Sequence, residues 1–260
     1  MRIVIITQSD SFFIPANVQK IIDLKSVEVK LIALADSKGA FSNRLDYFAK
    51  GFGVIQSIQM FIRLLYSKAL NVFDLLMGYK LLKRKRSLKV VAKQNRIHYT
   101  VIPNPNNKDF LEQLREVEPD LIVSLSAPCI FNPELLSIPG RGCINLHCSL
   151  LPEFGGYLPS FWVLYHEADE TGATVHYMDD KIDSGDILGQ EKVSLSPNMS
   201  MFDVIKLTKP LGGDLMVEVI DTIRQGKAVS TPNESEKGSY YAPPTIEEMK
   251  EFRKRGGRFV

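Results

Sequence analysis

The chain has 260 residues, 45% of them apolar, and a formal net charge of +2. That length fits one large domain, or one domain with a small appendage, with ample apolar material for a core. The charge is too mild to make nucleic acid the main partner. Its cysteines, Cys129, Cys143 and Cys148, are odd in number and crowded together. They form no disulfide framework and suit a reducing, cytoplasmic setting.

Arg2–Thr7 (RIVIIT) is a β-branched run of the kind that becomes a buried parallel strand. The opening MRIVIITQSD lacks the long apolar stretch of a signal peptide. Ser9, Asp10 and Ser11 follow in a polar loop that can line a substrate pocket, although most such loops only connect. Neither GxGxxG nor a P-loop is present, so no dinucleotide fingerprint is supported. Pro15–Leu24 reads as helix, with Pro15 in the first turn, where its missing N–H has no helical partner anyway. Val27–Leu34 is a second strand and Ala35–Ser42 a Gly-containing loop. From Gly51 to Leu82, apolar residues such as Ile55, Ile58, Phe61, Ile62 and Leu65 recur at near-helical spacing. Arg63, Lys68 and Asp74 break the run, so no uncharged stretch of roughly 18 residues exists to span a bilayer. Two packed helices are expected instead. Lys80–Lys89 then collects six basic residues. A solvated helix end is the plain reading, with a peripheral membrane patch or steering of an anionic substrate as alternatives.

Leu88–Asn95 continues as helix, His98–Ile102 is a strand, and the loop PNPNNK caps a helix over Asp109–Val117. Asp120–Leu125 is another buried strand, Pro133–Ser137 a short helical turn, and Cys143–His147 a further strand. Pro159–Ala168 reads as helix, Gly172–Met178 as strand and Asp186–Leu195 as extended chain. Ser200–Gln225 is an amphipathic helix with Ser200 as N-cap and Gly226 just past its end. Thr245–Lys254 is a charged helix in a tail of about 30 residues, too short for a second folded domain. Strand and helix in alternation predict an α/β fold with a mainly parallel sheet. Ligands of such sheets sit at the carboxyl ends of strands. The expected organisation is a catalytic domain over 1–195, with a helical insertion at about 51–95, and a C-terminal helix and tail over 196–260 packed on it.

The chemistry concentrates in residues 143–188. Asn145 and His147 are two apart in a predicted strand, so they project to one side. Asp183 stands in the acidic loop DDKIDSG. A carboxamide donor, an imidazole and a carboxylate suit acyl transfer: one steadies an oxyanion, one moves a proton, one orients or relays. Each residue alone has a plain structural use, as a cap, a satisfied buried group or a turn closure. Cys143, His147 and Cys148 are too cramped for a common zinc site and have no second pair nearby, so no metal is expected. The absence of GxSxG argues against an α/β hydrolase.

In order, NLHCSLLPEFGG, TGATVH and DSGDIL resemble the 10-formyltetrahydrofolate-dependent formyltransferase family. Its pattern runs Asn-x-His-x-Ser-Leu-Leu-Pro, an aromatic and Gly, then Thr-Gly-x-Thr-x-His and an Asp-x-Gly-x-Ile run. The resemblance is strong over about residues 120–195, looser over the N-terminal sheet, and weak over 36–95 and 230–260. It implies a Rossmann-like, mostly parallel sheet flanked by helices, with a short C-terminal extension and N10-formyltetrahydrofolate as co-substrate. It assigns catalysis to Asn145, as oxyanion donor, to His147, in proton transfer, and to Asp183, orienting His147 through water. The implied folate pocket falls on Pro128, Cys129, Ile130 and Phe131, with Leu136 lining it, and on Met178, Asp179, Asp180, Lys181 and Ile182. Glycines at 155–156 and 185 would let backbone approach closely. His176 reads as structural support. Ser9, Asp10, Tyr157 and Trp162 are candidates to touch the acceptor, although packing is the plainer use of Trp162.

Family members differ in what surrounds this core. Those acting on methionyl-tRNA carry a C-terminal barrel, which this sequence is not expected to have. Those acting on glycinamide ribonucleotide have a Gly-rich phosphate loop where this chain has TQSDSFF. Formyltetrahydrofolate hydrolases begin with a regulatory domain. The remaining resemblance is to sugar N-formyltransferases, which modify a nucleotide-linked amino sugar for surface polysaccharide. The implied partner is a small-molecule amine, with methionyl-tRNA, glycinamide ribonucleotide or another small amine, or non-catalytic folate binding, as alternatives. The apolar stretch 51–82 could form a dimer face, a lid or a contact to a lipid-linked acceptor.

Overall fold

The computed structural model describes residues 1–35, 41–77 and 86–260. Most of the expected loop at 35–42 and the basic residues at 80–85 lie outside the described residues. The chain begins with β1 (Arg2–Thr7), α1 (Ile14–Asp23) and β2 (Glu28–Ala35), followed by α2 (Phe41–Phe52), α3 (Val54–Leu76) and α4 (Leu88–Gln94). Next come β3 (His98–Ile102), α5 (Lys108–Val117), β4 (Leu121–Leu125), α6 (Pro133–Leu136) and β5 (Cys143–His147). The last part holds β6 (Gly155–Gly156), α7 (Pro159–Tyr165), β7 (Glu170–Tyr177), β8 (Ile187–Ser194), α8 (Met201–Arg224), β9 (Tyr240–Tyr241) and α9 (Ile246–Lys254). The main sheet has the order β3-β2-β1-β4-β5-β7-β8. Its first five strands run parallel, and β7 and β8 return antiparallel.

Period-two alternation sorts the strand residues onto two cores. Ile3 and Ile5 face α1, α4 and α8 in one cluster, while Val4 and Ile6 face α5 and α6 in the other. Burial on both faces is what a parallel sheet under two helical layers requires, and it explains why these strands are continuous apolar runs. Each fully buried Ile or Leu stabilises by roughly 1.5–3 kcal/mol, so the centre of the sheet is a rigid base for the loops at its edge. A third cluster is largely aromatic and joins α2, α7 and α9, with Phe52, Phe161, Trp162, Phe252 and Phe259. The helix α8 begins in a capping box: the Ser200 hydroxyl accepts from the Asp203 N–H, and the Asp203 carboxylate accepts from the Ser200 N–H. It packs on β7 and β8 and ends at Gly226, whose φ of +68° only glycine adopts at little cost.

One expectation is corrected. The stretch within 51–82 is not two packed helices: α3 is continuous over its 23 residues, and the break falls before it, at Gly53 with φ +76°. Arg63, Lys68 and Asp74 interrupt the apolar run but are not helix breakers, and no Gly or Pro lies within Val54–Leu76 to end the helix.

Candidate active site

The pairing of β5 with β7 builds the centre. Asn145 stands opposite His176, and His147 opposite Thr174. Residues directly opposite in an antiparallel pair share a face. Register alone therefore places the Asn145 amide 3.2 Å from His176 Nε2. Thr174, buried beside His147, donates to the Ser149 carbonyl at 2.7 Å and accepts from the Leu151 N–H at 3.1 Å. That pair of bonds folds the SLLP loop back over the strand end. The Phe154 carbonyl then comes to 2.9 Å from His147 Nε2.

Asp183 enters from the acidic loop with φ +51°, the left-handed region that Asn and Asp tolerate best among non-glycine residues. Its Oδ2 accepts from the Gly156 N–H at 2.8 Å and lies 3.3 Å from His147 Nδ1. Its Oδ1 lies 3.5 Å from His176 Nε2. All three side chains are buried, at 6% (His147), 2% (His176) and 10% (Asp183) exposure, so water screens these contacts weakly. Gly156 is required here: at φ +94° an added Cβ would stand 2.2 Å from the Tyr241 carbonyl. At Gly185 it would stand 2.1 Å from the Tyr177 carbonyl. The close approach expected at these glycines is to the chain's own backbone.

Hydrogen-bond partners decide the tautomers. His176 Nδ1 faces the Tyr177 carbonyl at 2.7 Å and therefore carries the hydrogen. Its Nε2 lies 3.2 Å from the Asn145 amide, a contact that orients the carboxamide, and 3.5 Å from Asp183 Oδ1. His147 Nε2 faces a carbonyl too, so its Nδ1 lone pair points at the carboxylate when the ring is neutral. Protonation of Nδ1 turns that contact into a charge-assisted hydrogen bond. Burial lowers the His147 pKa; the Asp183 carboxylate works against this, while His176 and Lys209 lower it further. The resting ring is neutral and ready to accept a proton. For Asp183, burial acts to raise the pKa, but His147, His176 and the Gly156 N–H outweigh it and hold the carboxyl at about 2. The Lys209 ammonium is held nearby by the Ser126 hydroxyl at 2.6 Å.

The residues expected around a folate fall in two neighbouring segments. Phe131 is fully buried in the second core cluster, and half-buried Leu136 and Met178 pack against that same cluster. Pro128 and Cys129 are half-buried, the Cys129 thiol pushed up by burial, and Ile130 is exposed. Asn106 braces this loop, donating to the Ile130 carbonyl at 2.8 Å and accepting from the Asn132 N–H at 2.9 Å. The Met178 N–H donates to the Cys143 carbonyl at 2.8 Å, tying the acidic loop to β5. Asp179 accepts from the Lys181 N–H and the Ser184 hydroxyl; Asp180 and Lys181 are exposed and Ile182 half-buried.

The residues expected at the acceptor separate. Asp10 caps the start of α1, accepting from the Phe12 and Phe13 N–H groups at 2.6 Å each. With Ser9 and Ser11 it also lines a cavity of about 330 Å³ whose other walls include Lys68, Arg86 and Lys89. Tyr157 is exposed beyond β6. Trp162 is buried and stacked on Tyr241 with centroids 4.6 Å apart, and its indole N–H donates to the Ala242 carbonyl at 3.2 Å. Other contributors lay beyond sequence reasoning. β9 pairs with β6, Asn233 donates to the Asp183 carbonyl at 2.8 Å, and the Ser239 hydroxyl accepts from the Phe154 N–H at 2.9 Å. The tail thus braces both loops that meet at His147. Polar residues such as Asn233 and Ser239, in a segment without periodicity, leave no signal of this in the sequence.

Residues 74–220 match the family described as formyl transferase, more than half of the chain. The chain belongs to the formyl transferase family. The matched region starts within the segment that the motifs left weak and runs into α8. The methionyl-tRNA formyltransferase of Carboxydothermus hydrogenoformans is 32% identical over 161 residues, covering 62% of this chain and 52% of that protein. The chain spans about half the length of the curated relatives it matches. Among solved structures, a sugar N-formyltransferase from a Shewanella species aligns with a TM-score of 0.60 at 18% identity, over 93% of this chain and 76% of that one. A sugar 3N-formyl transferase, solved in the presence of dTDP and 5-N-formyl-THF, gives 0.57 at 17%, over 92% and 69%. At such identities the formyl transferase likeness of the structures speaks for the fold.

Proposed function

We propose that the chain transfers a formyl group from N10-formyltetrahydrofolate to a primary amine, and that Asn145, His147 and Asp183 carry the reaction. One observation carries this reading: three separate motif segments bring a carboxamide, two imidazoles and an ionised carboxylate into one buried cluster. The folate supplies the formyl group on N10. Half-buried Leu136 and Met178 and exposed Ile130 offer apolar walls for its ring, and the backbone of the 128–131 and 178–182 loops offers polar contacts, the mixture ligand sites use. The acceptor nitrogen bonds to the formyl carbon, and charge collects on the formyl oxygen. Asn145 has two amide hydrogens; one is given to His176, and the other serves that oxygen. The proton lost by the amine passes to the His147–Asp183 pair, and N10 gains a proton as its bond to the formyl carbon breaks. The products are a formamide and tetrahydrofolate.

The acceptor we favour is the amino group of a nucleotide-linked amino sugar. Support comes from the sugar N-formyltransferases among the fold neighbours and from the cavity at Ser9, Ser11, Lys68, Arg86 and Lys89, whose hydroxyls and cations suit a phosphate. Methionyl-tRNA is the second reading, favoured by the names of the curated relatives. The deciding experiment supplies N10-formyltetrahydrofolate with dTDP-, UDP- and GDP-linked amino sugars, or with methionyl-tRNA, and measures released tetrahydrofolate. Turnover with one amino sugar supports the first reading and turnover with the tRNA the second. No folate turnover or binding in any mixture would overturn formyl transfer.

A further inference from the structure

Three neighbouring strand ends carry polar groups in spatial order. β1 leads into Ser9–Ser11, β4 ends one residue before Ser126, and β5 ends at His147. Parallel register sets them side by side, Thr7 against Leu125 and Leu125 against Leu146. Strands lie about 4.8 Å apart, so β1 and β5 are separated by roughly 10 Å and Ser126 stands between the Ser9–Ser11 cavity and His147. Lys209 reaches that midpoint from α8. Its ammonium donates to the Ser126 hydroxyl at 2.6 Å, and it lies close enough to His147 to lower the pKa of that ring. Its helical turn is fixed from behind by α1: Asn17 donates to the Lys209 carbonyl at 2.8 Å and Lys20 to the Pro210 carbonyl at 3.0 Å. Ser126 holds φ +59°, a left-handed conformation that serine rarely adopts, and strain of this kind concentrates at functional sites.

A half-buried ammonium normally has a counter-charge. Among the described residues Lys209 has none, because the neighbouring acids of α8 are engaged elsewhere, Asp203 with Lys206 and Asp214 with Lys20. The Lys209 side chain bonds to a neutral hydroxyl, which leaves ammonium hydrogens for a ligand oxygen. The two faces of the sheet decide whose oxygen that is. α8 packs with α1 and α4 on the first core cluster. Phe131, Leu136 and Met178, the apolar residues of the folate segments, join the second cluster on the opposite face. An anion at Lys209 therefore comes from the acceptor and not from the glutamate tail of a folate.

We propose, resting on the formyl-transfer reading, that Lys209 is a specificity-determining residue: it binds the acceptor phosphate nearest the reacting amine, and the Ser9–Ser11 cavity takes the next phosphate of the same molecule. An amine at His147 followed by two linked phosphates is the layout of an amino sugar carried on a nucleoside diphosphate. The cavity side of this arrangement has its own unfilled donor, since the Arg86 Nε is buried there with no partner among the described residues.

The test uses inorganic pyrophosphate, titrated calorimetrically into the full chain in metal-free buffer, with tetrahydrofolate binding measured in parallel. The wild type should bind pyrophosphate. Lys209→Met should bind it at least about tenfold less well while keeping its tetrahydrofolate affinity, and Lys209→Arg should recover most of the loss. Ser126→Gly suits the left-handed φ and removes only the tether. It should weaken pyrophosphate binding by about threefold or more, and it decides the matter if the Lys209 variants misfold. A wild type that binds no pyrophosphate, or an affinity unchanged in both Lys209→Met and Ser126→Gly, overturns the proposal. So does binding that is lost in Arg86→Met alone, because the whole anion would then lie in the cavity. A Lys209→Met variant that keeps pyrophosphate and loses tetrahydrofolate overturns it by giving Lys209 to the folate tail. A wild-type chain that binds no tetrahydrofolate refutes the formyl-transfer reading instead, whatever the pyrophosphate result.

Discussion

Replacing Asp183 by Asn separates the charge at the centre of the site from its shape. The carboxyl is depressed from 3.8 to about 2. At about 1.4 kcal/mol per unit this is on the order of 2 kcal/mol of stability. The sign follows from the folded state binding the proton less readily than the unfolded chain. The contribution is therefore complete above the ordinary carboxylate range and disappears as pH falls from about 4 through about 2. Asparagine keeps an oxygen for the Gly156 N–H but carries no charge for His147 or His176. Asp183→Asn should lose on the order of 2 kcal/mol at pH 7 and converge with the wild type near pH 2. Urea unfolding followed by circular dichroism across pH 2–7 measures this difference. Formyl transfer should fall by about 10²–10⁴-fold in the same variant. A stability gap of equal size at pH 2 and pH 7 would refute the reasoning, because the lost contribution would then not be the ionised carboxylate.

His147→Ala should abolish measurable formyl transfer while leaving the thermal unfolding transition cooperative. In the wild type, the acid limb of the rate profile should lie below the ordinary imidazole value of 6.5, because burial favours the neutral ring. A limb at or above 6.5 would count against that assignment. Gly156→Ala places a Cβ 2.2 Å from the Tyr241 carbonyl at φ +94°, so β6 and β9 must part. A loss of at least about 2 kcal/mol and a sharp fall in turnover are expected, read from urea midpoints and folate release. Ser200→Ala removes one half of the α8 capping box and should cost about 1 kcal/mol with turnover little changed; an unchanged urea midpoint would show that the cap adds nothing.

The parts of this fold that were legible are those governed by local rules. Arg2–Thr7 and Asp120–Leu125 read as buried strands because a parallel sheet makes both faces of a strand apolar, and the structure, with β4 at Leu121–Leu125, leaves their interior residues fully covered. Asn145 and His147 could be placed on one side because two-residue spacing in a strand admits nothing else. Ser200 and Gly226 bounded α8 because caps act within one turn. What escaped depends on contacts between distant segments. The Phe154 carbonyl reaches His147 only after Thr174 has folded the intervening loop, and Asn233 reaches Asp183 across 50 residues. Backbone carbonyls and single polar side chains carry no periodicity, so no pattern announces them.

The helix α3 shows a different limit. Periodicity pointed to helical structure but to two helices where there is one, and the apolar side of a helix is ordinarily taken to face the core, whereas here it faces out. An apolar stripe states only that some surface must be removed from water, not which body removes it. The polar arc decides the orientation: Gln56 accepts from the Phe259 and Val260 N–H groups, and Ser67 donates to the Ser11 carbonyl and accepts from the Arg86 guanidinium. Burying that arc satisfies groups whose isolation would cost about 1–3 kcal/mol each. Among the described residues, nothing covers the apolar arc.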